Sequence, residues 1–488
     1  MKLNRISFIL LGAVPILSLL SCKKYLDEAP DNRTEINSVE KVAQLVATAY
    51  PSADYLTFAE AASDNTEDKG VGIGSTDEMF DLPYAWIDVI GTGTNSTSSY
   101  WNGCYEAIAA ANQALEAIEK ENLGPSVLPY KGEALVARAY AHFMLTILFA
   151  TPYEQGAAND APGVPYITAP ETKVIVQYSR GTVKSTYEQI EKDLEEGLKL
   201  LSSGSVYKAP KFHFTPAAAH AFASRFYLFK GEWQKVIDHA TLTVPGNDFA
   251  SNLRLITTAL KDMTGEEFNA AFNSSAQKYN LLLSNTYSTY HYQWGPRHGY
   301  GAKLVKMFTT PNVTGKILGN RVVSYGVPQY TTYKHKGYFF NTGPGIGFPY
   351  LTTASLTVDE TLMNRAEAYA ELGQNDLALK DINDFYSVRT DNYNPINDAV
   401  TLEKINSFYG ISDPKQGLIR TVLDAKKAEF LQEGMRWFDI IRRKLTVVHN
   451  NFDATGLETF SELKHGDKRR IFQLPKEVKL SGIELNPR

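Results

Sequence analysis

Cysteine is almost missing from this chain: 488 residues contain only Cys22 and Cys104. At most one disulfide can form, so a cysteine-stapled scaffold is excluded and stability must come from burial. Net basic charge is missing too. Lys and Arg number 49 against 54 Asp and Glu, a net of −5, which argues against a nucleic-acid partner because phosphate binding needs a basic surface. The short basic runs at Arg442 to Lys444 and Lys468 to Arg470 read as solvated or ion-paired faces. Signatures of chemistry are equally scarce. There is no HExxH helix and no GxSxG elbow, and the nine histidines are scattered, so neither a zinc site nor a serine hydrolase is indicated. The GPGIG at Gly343 to Gly347 lacks the lysine and the strand-to-helix context of a phosphate loop and reads as a flexible turn. Asp64, Thr66 and Asp68 alternate like a calcium loop, but Gly70 falls one residue late. No catalytic residue, metal ligand or cofactor is expected; calcium elsewhere in the loops stays open, though nothing in the sequence indicates it.

What is present begins at the N-terminus. Lys2 and Arg5 precede an apolar run from Ile6 to Leu20, and Ser21 supplies a small residue immediately before Cys22. This is the layout of a secretory leader with a bacterial lipoprotein cleavage site. Residues 1–21 are expected to be removed, Cys22 to be acylated, and residues 22–36 to act as a polar tether. The apolar run is shorter than the roughly 20 residues of a membrane span and is broken by Pro15, which disfavours a transmembrane anchor. Loss of the leader removes two basic residues and leaves 47 against 54 acidic ones, a net of −7. With Cys22 acylated no intrachain disulfide remains, and Cys104, in an apolar helical context, reads as a small core residue.

Hydrophobic residues make up 43% and aromatic residues 12% of the chain, with 28 tyrosines leading. The length exceeds the roughly 250–300 residues at which single cores stop growing, so two closely packed subdomains or one large solenoid-like body is expected. Helix starts are legible at Asn37 with Glu40, Ser185 with Glu188, Thr357 with Glu360, and Thr215 before Pro216. Tyr187, Ile190, Leu194, Leu198 and Leu201 form one helical stripe. Residues 134–150 are nearly all apolar, yet Arg138 and His142 favour a buried helix over a membrane span. Tyr227, Gly231, Val236 and Ala240 share their spacing with Tyr369, Gly373, Ala378 and Ile382, the register of a tetratricopeptide-type helix hairpin. The copies start at residues 227 and 369, 142 positions apart, which is no multiple of the roughly 34 of a tandem array. They are therefore helix pairs embedded in a larger body. Residues 60–100 and 281–350 show no sustained helical period and read as long functional loops.

Several stretches together resemble one family. They are CKKYLDEAP from Cys22, ASDNTED from Ala62, SYWNGCYEAIAAAN from Ser99, GEALVARAYAHFMLTILFATPY from Gly132, and GVPYIT from Gly163. TPAAAHAFASRFYLFKGEWQKVIDHA follows from Thr215, NRAEAYAELGQNDLALKDINDFYSVR from Asn364, DAKKAEFLQEGMRWFDIIRRK from Asp424, and LPKEVKLSGIELNPR from Leu474. In order and spacing the chain resembles the SusD/RagB family of lipid-anchored nutrient-binding proteins. The resemblance runs over residues 37–255 as an N-terminal part and 351–488 as a C-terminal part. It is loose over 256–350, where ligand preference would be written.

The resemblance implies a mostly α fold, in which four tetratricopeptide-like helix pairs support a loop-rich ligand-binding face. It also implies a non-catalytic lipoprotein of the outer membrane facing the cell exterior. Such a protein would capture oligosaccharide or polysaccharide and deliver it to a SusC-like TonB-dependent transporter. Peptide capture is the alternative within the family. A tetratricopeptide-type scaffold binding only protein partners, and a lipid-anchored glycan hydrolase, are the alternatives outside it. Sugar rings stack their C–H faces on aromatic rings while rim polar groups satisfy the hydroxyls. The expected ligand contacts are therefore the loop residues Tyr84, Trp86 and Asn95, and Tyr290, Tyr292, Trp294 and Arg297, with Asp64, Asn65 and Asn320 as further polar candidates. Trp101, Tyr105, Trp233 and Trp437 sit at helical spacing and read as packing residues.

Overall fold

A computed structural model describes residues 35–173, 175–202, 206–290 and 295–488; Cys22, Tyr292 and Trp294 lie outside them. The first helices are α1 (Val39–Val46), α2 (Leu56–Ala62), α3 (Glu78–Tyr84), α4 (Thr97–Lys120), α5 (Leu128–Phe149) and α6 (Val183–Leu200). Next come α7 (Pro216–Lys230), α8 (Trp233–Thr241), α9 (Gly265–Phe272) and α10 (Ala302–Thr309). The C-terminal helices are α11 (Val358–Glu371), α12 (Asn375–Ser387), α13 (Leu402–Tyr409), α14 (Pro414–Glu429) and α15 (Met435–Arg442). The fold is mostly α.

Local chemistry explains the helix starts. Thr357 caps α11 by accepting from the Glu360 N–H, and Thr215 caps α7 ahead of Pro216. Two expected caps are corrected by a short shift. Ser38, not Asn37, caps α1. Thr182, not Ser185, caps α6, with Ser185 as its reciprocal capping-box partner at 3.0 and 2.9 Å. Both hairpins of shared register form, and Gly231 and Gly373 turn them at φ 74° and 72°, left-handed values that favour glycine. The two hairpins then pack side by side through α8 and α11, although far apart in sequence.

Bidentate arginine–carboxylate pairs rivet the helix seams. Arg138 on α5 holds Asp193 on α6 at 2.7 and 2.8 Å. Arg225 on α7 holds Glu360 on α11 at 2.6 Å twice, and Arg365 on α11 holds Asp381 on α12 at 2.7 Å twice. All six side chains are buried, so each fork satisfies charges that would otherwise be costly. Helix α5 is interior on every side from Gly132 to Phe149, with His142 accepting from the Ile167 N–H at 3.0 Å. One hydrophobic cluster runs from Val42 to Ile483 and contains Trp101, Cys104 and Trp437.

The stretches expected to be loops carry structure. Residues 60–100 include the end of α2, all of α3 and the start of α4. α3 spans two turns, too short for a periodic signal. The strands are β1 (Glu67–Asp68), β2 (Asn280–Tyr287), β3 (His298–Gly299), β4 (Val322–Ser324), β5 (Tyr330–Thr332), β6 (Gly337–Gly343), β7 (Ile346–Thr357), β8 (Val447–Phe452) and β9 (Glu458–Leu463). Four of them, β3 to β6, fall wholly within the second stretch, together with all of β2 but its first residue and the first five residues of β7. β2, β7 and β6 form an antiparallel three-stranded sheet in that order. It lies against α7, where the Arg225 guanidinium also donates to the Ser355 carbonyl at 2.7 Å.

Candidate functional site

The two aromatic loops do come together, but as a buried seam. Trp86, Tyr84 and Tyr290 are 6, 1 and 5% exposed, respectively. Tyr84 is sandwiched between His449 and His298, with ring centres at 4.0 and 4.4 Å. Its hydroxyl accepts from the Asp68 N–H and donates to the Asn450 carbonyl, both at 2.7 Å. Trp86 stacks on the same His449 at 4.6 Å and donates its indole N–H to the Ala62 carbonyl. The expectation that these rings offer open faces is therefore corrected. A polar loop cannot leave large aromatic rings in water when histidines from β3 and β8 can cover them.

The polar candidates are spent in the same way. Arg297 grips Asp68 through two bonds of 2.7 Å and a third to the Phe452 carbonyl. Asn95, at φ 68°, donates to Thr289 and accepts from Ser288, tying the first loop to the second. Tyr290 shares its hydroxyl with Tyr300 at 2.8 Å, and Tyr300 passes a hydrogen bond to buried Glu60. Asp64 is held by Arg436 and Lys427, and Asn65 by Glu60. These groups build the seam that joins residues 60–100 to β3 and β8.

The open aromatic surface lies elsewhere, on the three-stranded sheet. Strand alternation puts Tyr338, Phe340, Phe348, Tyr350 and Tyr287 on one face. The register pairs Tyr287 with Tyr350, Tyr350 with Tyr338, and Phe348 with Phe340. Tyr338 and Tyr350 stack at 5.8 Å, and Tyr287 meets Phe348 edge-on at 5.7 Å. Phe340 is 58% exposed, Phe348 46% and Tyr338 40%. The row ends in a polar step, where the Thr352 hydroxyl donates to the side-chain amide oxygen of Asn285 at 2.7 Å. None of these side chains is charged.

The opposite face of the sheet carries Leu351 and Thr286 into the core. The hairpin closes through Gly345 at φ 70°, so GPGIG forms a turn, here the β-turn between β6 and β7. At Gly347 a Cβ would come within 2.2 Å of the Phe340 carbonyl oxygen, so only glycine fits. Sequence reasoning missed this site, although its signal was present. Tyr338 and Phe340, then Phe348 and Tyr350, alternate with a period of two on either side of the glycine turn. A ring cluster of this kind left in water on a soluble face marks an interaction surface.

Residues 24–228 match a SusD-like family model described as starch-binding and associating with the outer membrane, and residues 357–476 match the SusD family model. The chain belongs to the SusD/RagB family. Among curated proteins no sequence relative matches. Solved structures do match over nearly the whole length. A SusD superfamily protein from Bacteroides vulgatus aligns at TM-score 0.66 and 20% identity, over 92% of this chain and 99% of its own. A SusD-like carbohydrate-binding protein from the same species aligns at 0.65 and 18%, over 91% and 96%. A laminarin-binding SusD-like protein aligns at 0.59 and 16%, over 92% and 99%. SusD/RagB proteins are binding proteins rather than enzymes, and this chain is of that class. No helix among the described residues is long and apolar enough to cross a membrane.

Proposed function

We propose that this SusD/RagB protein captures a neutral saccharide on the aromatic face of its β2–β7–β6 sheet. It then delivers that ligand to a SusC-like TonB-dependent transporter in the outer membrane, to which acylated Cys22 tethers it on the cell exterior. One observation carries the reading of the site: five rings, three of them well exposed, lie in register on a rigid, uncharged sheet face with amide and hydroxyl groups at its edge. Sugar C–H faces suit such rings, and the absence of charge suits a neutral ligand. The carbohydrate-binding and laminarin-binding proteins that share the fold support the ligand class.

The test is calorimetry of the polypeptide from residue 23 onward against a panel of polysaccharides. Phe340→Ala or Tyr338→Ala is expected to weaken a saccharide hit about two- to tenfold, from a stacking contribution of about 0.5–1.5 kcal/mol. Unchanged affinity in both variants would remove the sheet from the site. Peptide capture is favoured by a different observation: β6 is an edge strand with unpaired backbone groups on its outer side. A hit confined to peptide mixtures and insensitive to Phe340→Ala would select that reading.

A further inference from the structure

A large cavity lies away from the aromatic sheet. It is a crevice of about 910 Å3 between the C-terminal ends of α5 and α15 and the last residues of the chain. That volume sits near the top of the roughly 300–1,000 Å3 range of small-ligand sites, far above the need of a single ion. No lining residue belongs to β2, β6 or β7.

Its charge runs against that of the molecule. The whole chain is net −5, yet the crevice is lined by Arg180, Arg442, Lys444, His465, Lys468 and Arg470 against Glu154, Asp467 and Glu484. Several of these charges cancel locally. Arg442 is held by Glu367 and Asp439, Lys444 by Glu154 at 3.0 Å, and Asp467 by Arg469 at 2.6 Å. Arg180, Lys468 and Arg470 are left against Glu484, which is three cations to one anion, or +2 before His465 is counted.

Among the described residues the Arg180 and Arg470 guanidinium groups hold only neutral acceptors. Arg180 donates to the Gly163 carbonyl at 2.7 Å and to the Asn486 side-chain oxygen at 2.8 Å. Arg470, only 5% exposed, donates to the Leu445 and Ile440 carbonyls at 2.7 and 2.6 Å. Both fall below the ordinary arginine range because burial is not offset by a bonded carboxylate. Asp467, whose field reaches Arg470, is committed to Arg469. A buried cation without a counter-ion is costly, and an anion entering the crevice would offset that cost. Low-dielectric walls would also focus the positive field on such a ligand. Thr151, Ser179 and Asn486 add hydroxyl and amide groups to the walls.

We propose that this crevice is a second ligand site, which takes a small saccharide bearing a carboxylate or sulfate group. The oxyanion follows from the crevice alone; the saccharide class rests on the carbohydrate reading above. It is a site distinct from the neutral platform on the sheet.

The test is calorimetry of the full-length protein with four probes: trigalacturonate, a sulfated disaccharide, inorganic sulfate and neutral maltotriose. At least one acidic saccharide is expected to bind. Its affinity should fall with added salt and drop about tenfold in Lys468→Gln, as befits one lost charge-assisted hydrogen bond. Arg470→Gln should weaken it further. Lys468 is exposed and engages no side chain among the described residues, so its variant keeps the test informative if Arg470→Gln fails to fold. Phe340→Ala should leave acidic binding unchanged, and this separates failure here from failure of the platform reading. The proposal is overturned if neither acidic saccharide binds, if maltotriose binds the same crevice equally well, or if Lys468→Gln has no effect. Loss of acidic binding in Phe340→Ala would also overturn it. Inorganic sulfate matching the acidic saccharides would overturn the saccharide assignment.

Discussion

Arg254 is the residue whose loss the structure makes most costly. It is fully buried and ion-pairs with Glu429 at 2.9 Å and Glu433 at 2.8 Å. Arg389 joins Glu429 at 2.6 Å and also grips Asp359, while Lys334 reaches Glu433 at 2.8 Å. The cluster therefore sets three cations against three carboxylates, drawn from segments between residues 254 and 433, and is neutral. Arg254→Met keeps much of the side-chain volume against Phe272, whose ring centre lies 4.4 Å from the guanidinium carbon. It nevertheless leaves one carboxylate uncompensated in the interior. Breaking a buried pair from one side costs about 3–5 kcal/mol, so the urea midpoint should fall well below that of the native protein. Replacing Glu433 by Met as well restores neutrality and should recover a large part of that loss. Lys334 stands three residues before β6, so the single variant should also loosen the aromatic hairpin and weaken ligand binding. A loss below about 1 kcal/mol in the single variant, or no recovery in the double, would refute the charge-balance argument.

Further outcomes are expected. Burial holds the His142 ring at about 3 and the His335 ring at about 4, below the ordinary 6.5, so the folded chain keeps both neutral. The unfolded chain takes up these protons below about 6.5, so stability is fully present above that pH and falls as pH drops towards 4. The slope is about 1.4 kcal/mol per pH unit for each ring; equal urea midpoints at neutral pH and pH 4.5 would contradict it. Tyr84→Phe keeps the ring stack but removes the hydroxyl between Asp68 and Asn450, and should cost about 1–2 kcal/mol in denaturation. An unchanged midpoint would show that the hydroxyl is dispensable. Burial pushes the Cys104 thiol well above its usual range, so a thiol reagent should label it only as fast as the chain unfolds. Rapid labelling of the native protein would contradict its core position.

Elements set by neighbouring residues were legible in the sequence. Thr215 with Pro216, and Thr357 with Glu360, mark helix starts because capping needs only a side chain three positions from an unpaired N–H. The hairpins at Gly231 and Gly373 were legible because a left-handed turn demands glycine there. α5 was recognisable as a buried helix because from Ala134 onward it is nearly all apolar apart from Arg138 and His142. The candidate site was legible only in part. Aromatic loops were visible, but which rings stay open depends on what packs over them.

His449 and Asn450 on β8, more than 350 residues beyond Tyr84, turn Tyr84 and Trp86 from open platforms into a buried seam. The register of β6 on β7, in contrast, leaves Tyr338, Phe340 and Phe348 in water. The sequence alone determined the helix pairs, their caps and turns, and the family resemblance, since these depend on contacts within a few positions of the chain. Burial, the balance of charges inside the core and the gathering of cations in the crevice depend on groups brought together from distant positions. Only the tertiary structure decided those, because solvent exclusion and electrostatic pairing are properties of neighbours in space.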